Sequence, residues 1–224
     1  MAASSPAPAG TPAIDRAAAV TRSLLGYGVL VGPFYLLVGV VQGLLRPGFS
    51  FARHPLSVLA NGEYGWVQTA NFALTGLMVI AAAVGIARVV GRAGRATTWL
   101  LGLYGVSVAL AAIFRADPMD GFPVGTPVGM PTSITTMGLM HFVLGALGFT
   151  CLGVSALLAA RMLSRRGESF MSRVSLAGGL VVLLGFYGGI ATGVLGIWIA
   201  VVVGWAWLAM LALHFYRVSP DTGC

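Results

Sequence analysis

"VSLAGGLVVLLGFYGGIATGVLGIWIAVVVGWAWLAMLALHFY", residues 174–216, runs for 43 residues with no charged side chain apart from a late His214. One helix of that length would extend about 65 Å, twice the ~30 Å hydrocarbon thickness of a bilayer. The one turn signal inside it is "TGVLG", residues 192–196. The stretch therefore reads as a tight hairpin of two spans, Val174–Leu195 and Gly196–Tyr216. That reading decides the fold, because it sets whether the spans are odd or even in number.

Working back toward the N-terminus, four more apolar runs of about 20 residues stand out by the same length rule. They are Leu24–Leu45, Trp66–Val90, Thr97–Phe114 and Met137–Ala160. The expected fold class is all-α: a polytopic membrane protein with six transmembrane helices in a bundle over residues 23–217. Residues 1–22, rich in Ala, Pro and Ser, are expected to form a disordered cytoplasmic tail. Residues 218–224 form a short second tail. The first apolar run is full span length without a cleavage site, which makes it an anchor and not a signal peptide.

Composition supports the membrane assignment: 58% of the 224 residues are hydrophobic and only 8% charged. A soluble domain carries about 25% charged residues. The net charge of +7 comes from thirteen basic residues, all arginine, scattered in ones to threes between apolar runs. That distribution excludes a nucleic-acid patch and matches charge used for orientation. Ten arginines (16, 22, 88, 92, 95, 161, 165, 166, 173 and 217) fall on one side of the six-span arrangement, and only Arg46, Arg53 and Arg115 on the other. The positive-inside rule then places both termini in the cytoplasm. The absence of lysine, with abundant Ala, Gly, Val and Arg, points to a high-GC bacterium and thus to its cytoplasmic membrane.

Glycine pairs at four-residue spacing, such as Gly28/Gly32, Gly39/Gly43 and Gly185/Gly189, suit close helix packing in lipid. Pro33 is expected to kink the first span. Cys151 and Cys224 form neither a disulfide framework nor a zinc knuckle, and no residue pattern specifies a metal or a cofactor.

Polar residues within the spans gather toward the non-cytoplasmic side. Gln68, Asn71 and Thr75 share one face of the second span, at i, i+3 and i+7. His141 lies one turn into the fourth, Gln42 near the exit of the first, and Tyr187 and Thr192 in the outer half of the fifth. Two long connections, 46–65 and 115–136, face the same way. The first carries Arg53, His54, Ser57, Asn61 and Glu63, and the second Arg115, Asp117 and Asp120. Long ordered loops in compact folds tend to be functional, so both are expected to cap the bundle mouth. Trp66, Trp99 and Trp198 lie near span ends and read as interfacial anchors.

The segments "RHPLSVLANGEYGWVQTANFALTGL" (53–77), "FRADPMDGFPVGTP" (114–127) and "GLMHF" (138–142) together resemble the six-helix membrane proteins catalogued as domain of unknown function 998. The resemblance covers residues 24–217 and implies six helices and a bacterial membrane, with no agreed reaction. It also implies a second His four residues before His141, where this chain has Met137, so that the pair able to share a metal on one helix face is missing.

Each candidate has two readings. Asp117, Asp120 and His141 read as an acid–base or metal site, or as a turn cap, an Arg115 partner and a carbonyl ligand. Ser57 reads as a nucleophile served by His54 or His141, or as the cap of a short interfacial helix. Gln68 and Asn71 read as ligand contacts or as interhelical glue. Three functions follow. The favoured one binds a lipid or small amphiphile through Gln68, Asn71, Glu63, Asp120, Arg115 and His54. The second is a membrane hydrolase or transferase acting on lipid through Asp117, His141 and Ser57. The third is a structural or accessory subunit.

Overall fold

A computed structural model describes residues 15–129 and 131–219, except for the side chains of residues 190–192. Asp15 opens the first helix: its carboxylate accepts the Ala17 and Ala18 backbone N–H groups at 2.9 and 3.2 Å, as a good N-cap does. Helix α1 (Arg16–Leu45) continues unbroken past Pro33. The helix thus begins inside the expected disordered tail. Residues 16–22 are helical because Asp15 satisfies the end and Ala-rich sequence propagates it; residues 1–14 lie outside the described residues.

Helix α2 (Gly65–Val90) ends at Gly91, whose φ of 59° suits glycine. A 3-10 turn, Gly91–Gly94, leads directly into α3 (Arg95–Leu110). The two helices lie side by side, since a Cβ on Gly76 would stand 2.6 Å from the backbone of Gly105 and Ala109. Helices α4 (Thr136–Arg165), α5 (Ser169–Thr192) and α6 (Val194–Val218) complete the chain. The 174–216 hairpin breaks at Gly193, with φ at 118°, two to three residues earlier than the sequence suggested. Gly189 and Gly196 meet backbone to backbone just below this break.

Each helix packs on its neighbours in sequence, and α6 closes the ring against α1. Leu25, Val79, Ile86, Leu101, Leu152, Leu208 and Phe215 fill the centre with almost no exposure. Large apolar side chains also cover the outside, Leu30, Leu37 and Leu184 among them. A helix apolar all round belongs in lipid or in a large core. Five helical stretches are long and apolar enough to cross a membrane by length and composition: Arg16–Leu45, Gly65–Leu110, Thr136–Arg165, Ser169–Gly189 and Val194–Val218. The second of these contains both α2 and α3. The chain is an all-helical, multi-pass membrane protein, and among the described residues it has no strand beyond one isolated bridge, Met119 to Phe122.

The ring has two unlike ends. One carries the short turns Gly91–Gly94 and Arg166–Glu168, both termini of the bundle and ten arginines. The other, the loop end, carries the connections 46–64 and 111–135.

Candidate functional site at the loop end

The two long connections are fastened to each other. His54, fully buried, accepts the Ser50 N–H at Nδ1 (3.0 Å), so Nε2 holds the proton and donates to the Asp120 carbonyl at 3.0 Å. The rings of Phe49 and Phe122 lie 5.3 and 5.6 Å from it. Asp120 itself sits at φ 49°. It holds that turn by pairing with Gly129, accepting its N–H at Oδ1 (3.1 Å) and donating to its carbonyl (2.8 Å). Arg53 approaches the Asp120 carboxylate at 3.9 Å, and Asn61 donates to the Ala116 carbonyl at 2.9 Å. The Pro- and Gly-rich loop is ordered because its backbone groups find partners within itself and on the first loop.

Asp117 and His141 hold the second loop to α4. Asp117 accepts the Thr135 backbone N–H at 3.0 Å and the Thr135 hydroxyl at 2.5 Å. Thr135 in turn accepts the Gly138 N–H at 3.0 Å as the N-cap of α4. The carboxylate rests over the helix start, where negative charge is favoured. It lies so close that a Cβ on Gly138 would fall 2.0 Å from Oδ2. His141 Nδ1 donates to the Phe114 carbonyl at 2.8 Å, and its ring meets Phe72 edge-on. Among the described residues no hydrogen bond joins His141 to Asp117, or Ser57 to either histidine. Pro55, not Ser57, holds the N-cap position of the short 3-10 helix Leu56–Ala60.

Beneath the loops runs the polar row of α2. Asn71 donates to the Tyr35 carbonyl (3.2 Å) and to Gln68 Oε1 (3.1 Å), and Thr75 donates to Asn71 Oδ1 (3.3 Å). All three side chains are buried. Gln68 Nε2 has no partner, and neither does Trp205 Nε1. The Tyr35 ring lies 5.4 Å from Trp205 and 6.0 Å from Phe72, and Tyr104 packs on the other side of Trp205 at 5.6 Å. Two buried N–H donors thus border one aromatic cluster without completing a hydrogen bond, although the Tyr35 hydroxyl lies close to Gln68.

A second feature opens sideways. Between α1 and the start of α2 lies a groove of about 560 Å³, walled by Leu37, Val41, Leu45 and Val67, with Gln42, Arg46 and Tyr64 toward the loop end. Gln42 Nε2 donates to the Tyr64 carbonyl at 2.7 Å, while Oε1 has no partner. Arg46 donates to the Asn61 carbonyl at 2.8 Å, with its guanidinium 5.0 Å above the Phe122 ring. Partial burial draws the Arg46 pKa below its ordinary value, against the opposing pull of Glu63 and Tyr64. Sequence reasoning counted Arg46 only as a charge; the available signal was an Arg one turn after Gln42 at the end of an apolar helix.

The expected ligand contacts therefore separate. His54 and Asp120 join the loops, Gln68 and Asn71 lie in the bundle, and Glu63 and Arg115 are exposed. Trp66 and Trp99 are exposed as anchors would be, but Trp198 packs 5.8 Å from Phe51 with its N–H buried and unpartnered. The Thr192 side chain and Cys224 lie outside the described residues. Among the described residues, no three His, Cys, Asp or Glu side chains cluster as metal ligands would. At the arginine end, His214 pairs with Glu168, which sequence reasoning missed because 46 residues separate them.

No curated protein and no solved structure matches this chain. A family model does match, over residues 29–214, from the middle of α1 through most of α6. With the helical ring and its loop-covered end in view, the chain belongs to the family described as protein of unknown function (DUF998).

Proposed function

We propose that this protein binds a lipid or small amphiphile beneath its two capping loops, in a bacterial cytoplasmic membrane that it crosses six times with both termini inside. The observation that carries this reading is the pair of unpartnered buried donors, Gln68 Nε2 and Trp205 Nε1, beside Tyr35. A buried N–H left unsatisfied costs about 1–3 kcal/mol. A ligand carbonyl, ester or phosphate oxygen would recover that cost. The fastening of the loops through His54 and Asp120 supports a lid over the row. The arginine asymmetry supports the orientation, and α2 and α3 then form separate crossings. A binding role is favoured over turnover because Asp117 gives both oxygens to Thr135.

Lipid-resolved mass spectrometry of the purified protein tests the reading. Wild type should carry an amphiphile in near-stoichiometric amount, and Gln68→Leu should lose most of it while remaining folded. Equal retention by the variant would sink the proposal. Labelling of Val128→Cys, at the exposed loop tip, should proceed in intact cells; labelling only after lysis would reverse the orientation.

A further inference from the structure

We propose that the groove between α1 and α2 is a separate site for an anionic phospholipid, with the phosphate on Arg46 and an acyl chain along Val41 and Leu37. Nothing in this depends on the buried α2 row. The groove begins at Arg46, one residue past the end of α1. It reaches Leu37, nine residues back, or about 13 Å deeper at 1.5 Å per residue. That matches one leaflet of a ~30 Å hydrocarbon core. Leu37 is 66% and Val41 45% exposed, so the slot opens toward lipid and not into the bundle.

Charge names the head. Arg46 binds protein through backbone carbonyls of Asn61 and, at a long 3.5 Å, Leu59. Those contacts hold the guanidinium in place and cancel none of its charge. Among the described residues no carboxylate lies within ion-pair distance of it; Glu63 acts only from farther off. A guanidinium has five N–H donors, and these contacts leave several for a phosphate, the bidentate partner that Arg geometry suits. One turn deeper, Gln42 lines the same groove at 6% exposure with Oε1 lacking a donor. An anionic phospholipid such as phosphatidylglycerol supplies the phosphate for Arg46, while its glycerol esters and acyl chains pass Gln42 into the slot. The volume of about 560 Å³ falls within the usual range of small-molecule sites.

The test is native mass spectrometry of full-length protein released from nanodiscs of phosphatidylcholine with a minor fraction of phosphatidylglycerol. Wild type should retain phosphatidylglycerol over phosphatidylcholine by about tenfold, because the choline cation offsets the phosphate charge that Arg46 meets, whereas phosphatidylglycerol keeps its net negative charge. Arg46→Gln should abolish the preference and Arg46→Lys should keep most of it. Val41→Trp, which leaves the Arg46 contacts intact, should fill the slot and release the lipid. Arg115→Gln, an exposed arginine at the same end, should behave as wild type. Unchanged retention by folded Arg46→Gln or by Val41→Trp overturns the site. So does an equal loss with Arg115→Gln, which would mean general charge attraction, or a dimer that Val41→Trp dissociates, which would put a second copy in the groove. Gln68→Leu should leave this lipid bound, which separates failure here from failure of the buried site.

Discussion

The arginine end and the loop end of this bundle treat buried polar groups in opposite ways. At the arginine end Ser155 donates to the Thr97 carbonyl at 2.9 Å, Trp207 donates to Ser175 at 3.1 Å and Glu168 meets His214. At the loop end Gln42, Gln68 and Trp198 each keep one buried atom without a partner, with Trp205 doing so at mid-depth. The contrast between Trp207 and Trp205, two residues apart on α6, is instructive. They carry the same indole N–H, and only one has a serine in reach. The loop end pairs His54, Asn71 and Thr75 but leaves single atoms of Gln42, Gln68 and Trp198 open, and such openings are where ligands gain affinity.

The largest effect is expected at the loop end, where the chain turns most tightly. A Cβ on Gly65 would stand 2.1 Å from the Ala60 carbonyl oxygen, a backbone atom that cannot rotate away. Gly65→Ala should cost about 3 kcal/mol, read as a lowered thermal midpoint in detergent. Wild-type stability would show that the loops yield freely and so weaken the case for a rigid cap. His54→Phe keeps the ring and loses both hydrogen bonds, which should cost about 2 kcal/mol. Hydrogen exchange should rise in residues 46–64 and 115–129, leaving the arginine-end turns unchanged. Asp117→Ala removes the support of the α4 start and should cost about 1 kcal/mol, with ligand retained; loss of ligand at full stability would make Asp117 a contact instead. The finest comparison pairs Ser155→Ala with Gln68→Leu. The first should destabilise by about 1 kcal/mol by removing a buried hydrogen bond, and the second by less, because the lost bond from Asn71 is offset by removal of the unpartnered Nε2 donor. Equal losses would erase the distinction between the two ends.

Much of this architecture can be read from the letters. Apolar runs separated by arginines locate the helices, and the 43-residue stretch divides where its glycine permits. The helix boundary at Arg16 was hidden because Asp15 looked like part of a polar tail, and an N-cap is recognised only by what it binds. Glycine pairs read as packing elements do pack within the chain: Gly28 meets Ala212 and Ala82, and Gly32 meets Trp205. The site was less legible. Gln68, Asn71 and Thr75 could be placed on one face by periodicity. That Asp117 would serve Thr135, and His54 the Asp120 carbonyl 66 residues away, had no local signature. Arg46 was visible only as a charge.

The sequence by itself determined an all-helical membrane protein and the side on which its arginines collect, because hydrophobicity and charge add up along the chain whatever the partners. Tertiary structure alone decided which polar groups are satisfied, since a hydrogen bond depends on distance and direction between residues far apart in sequence.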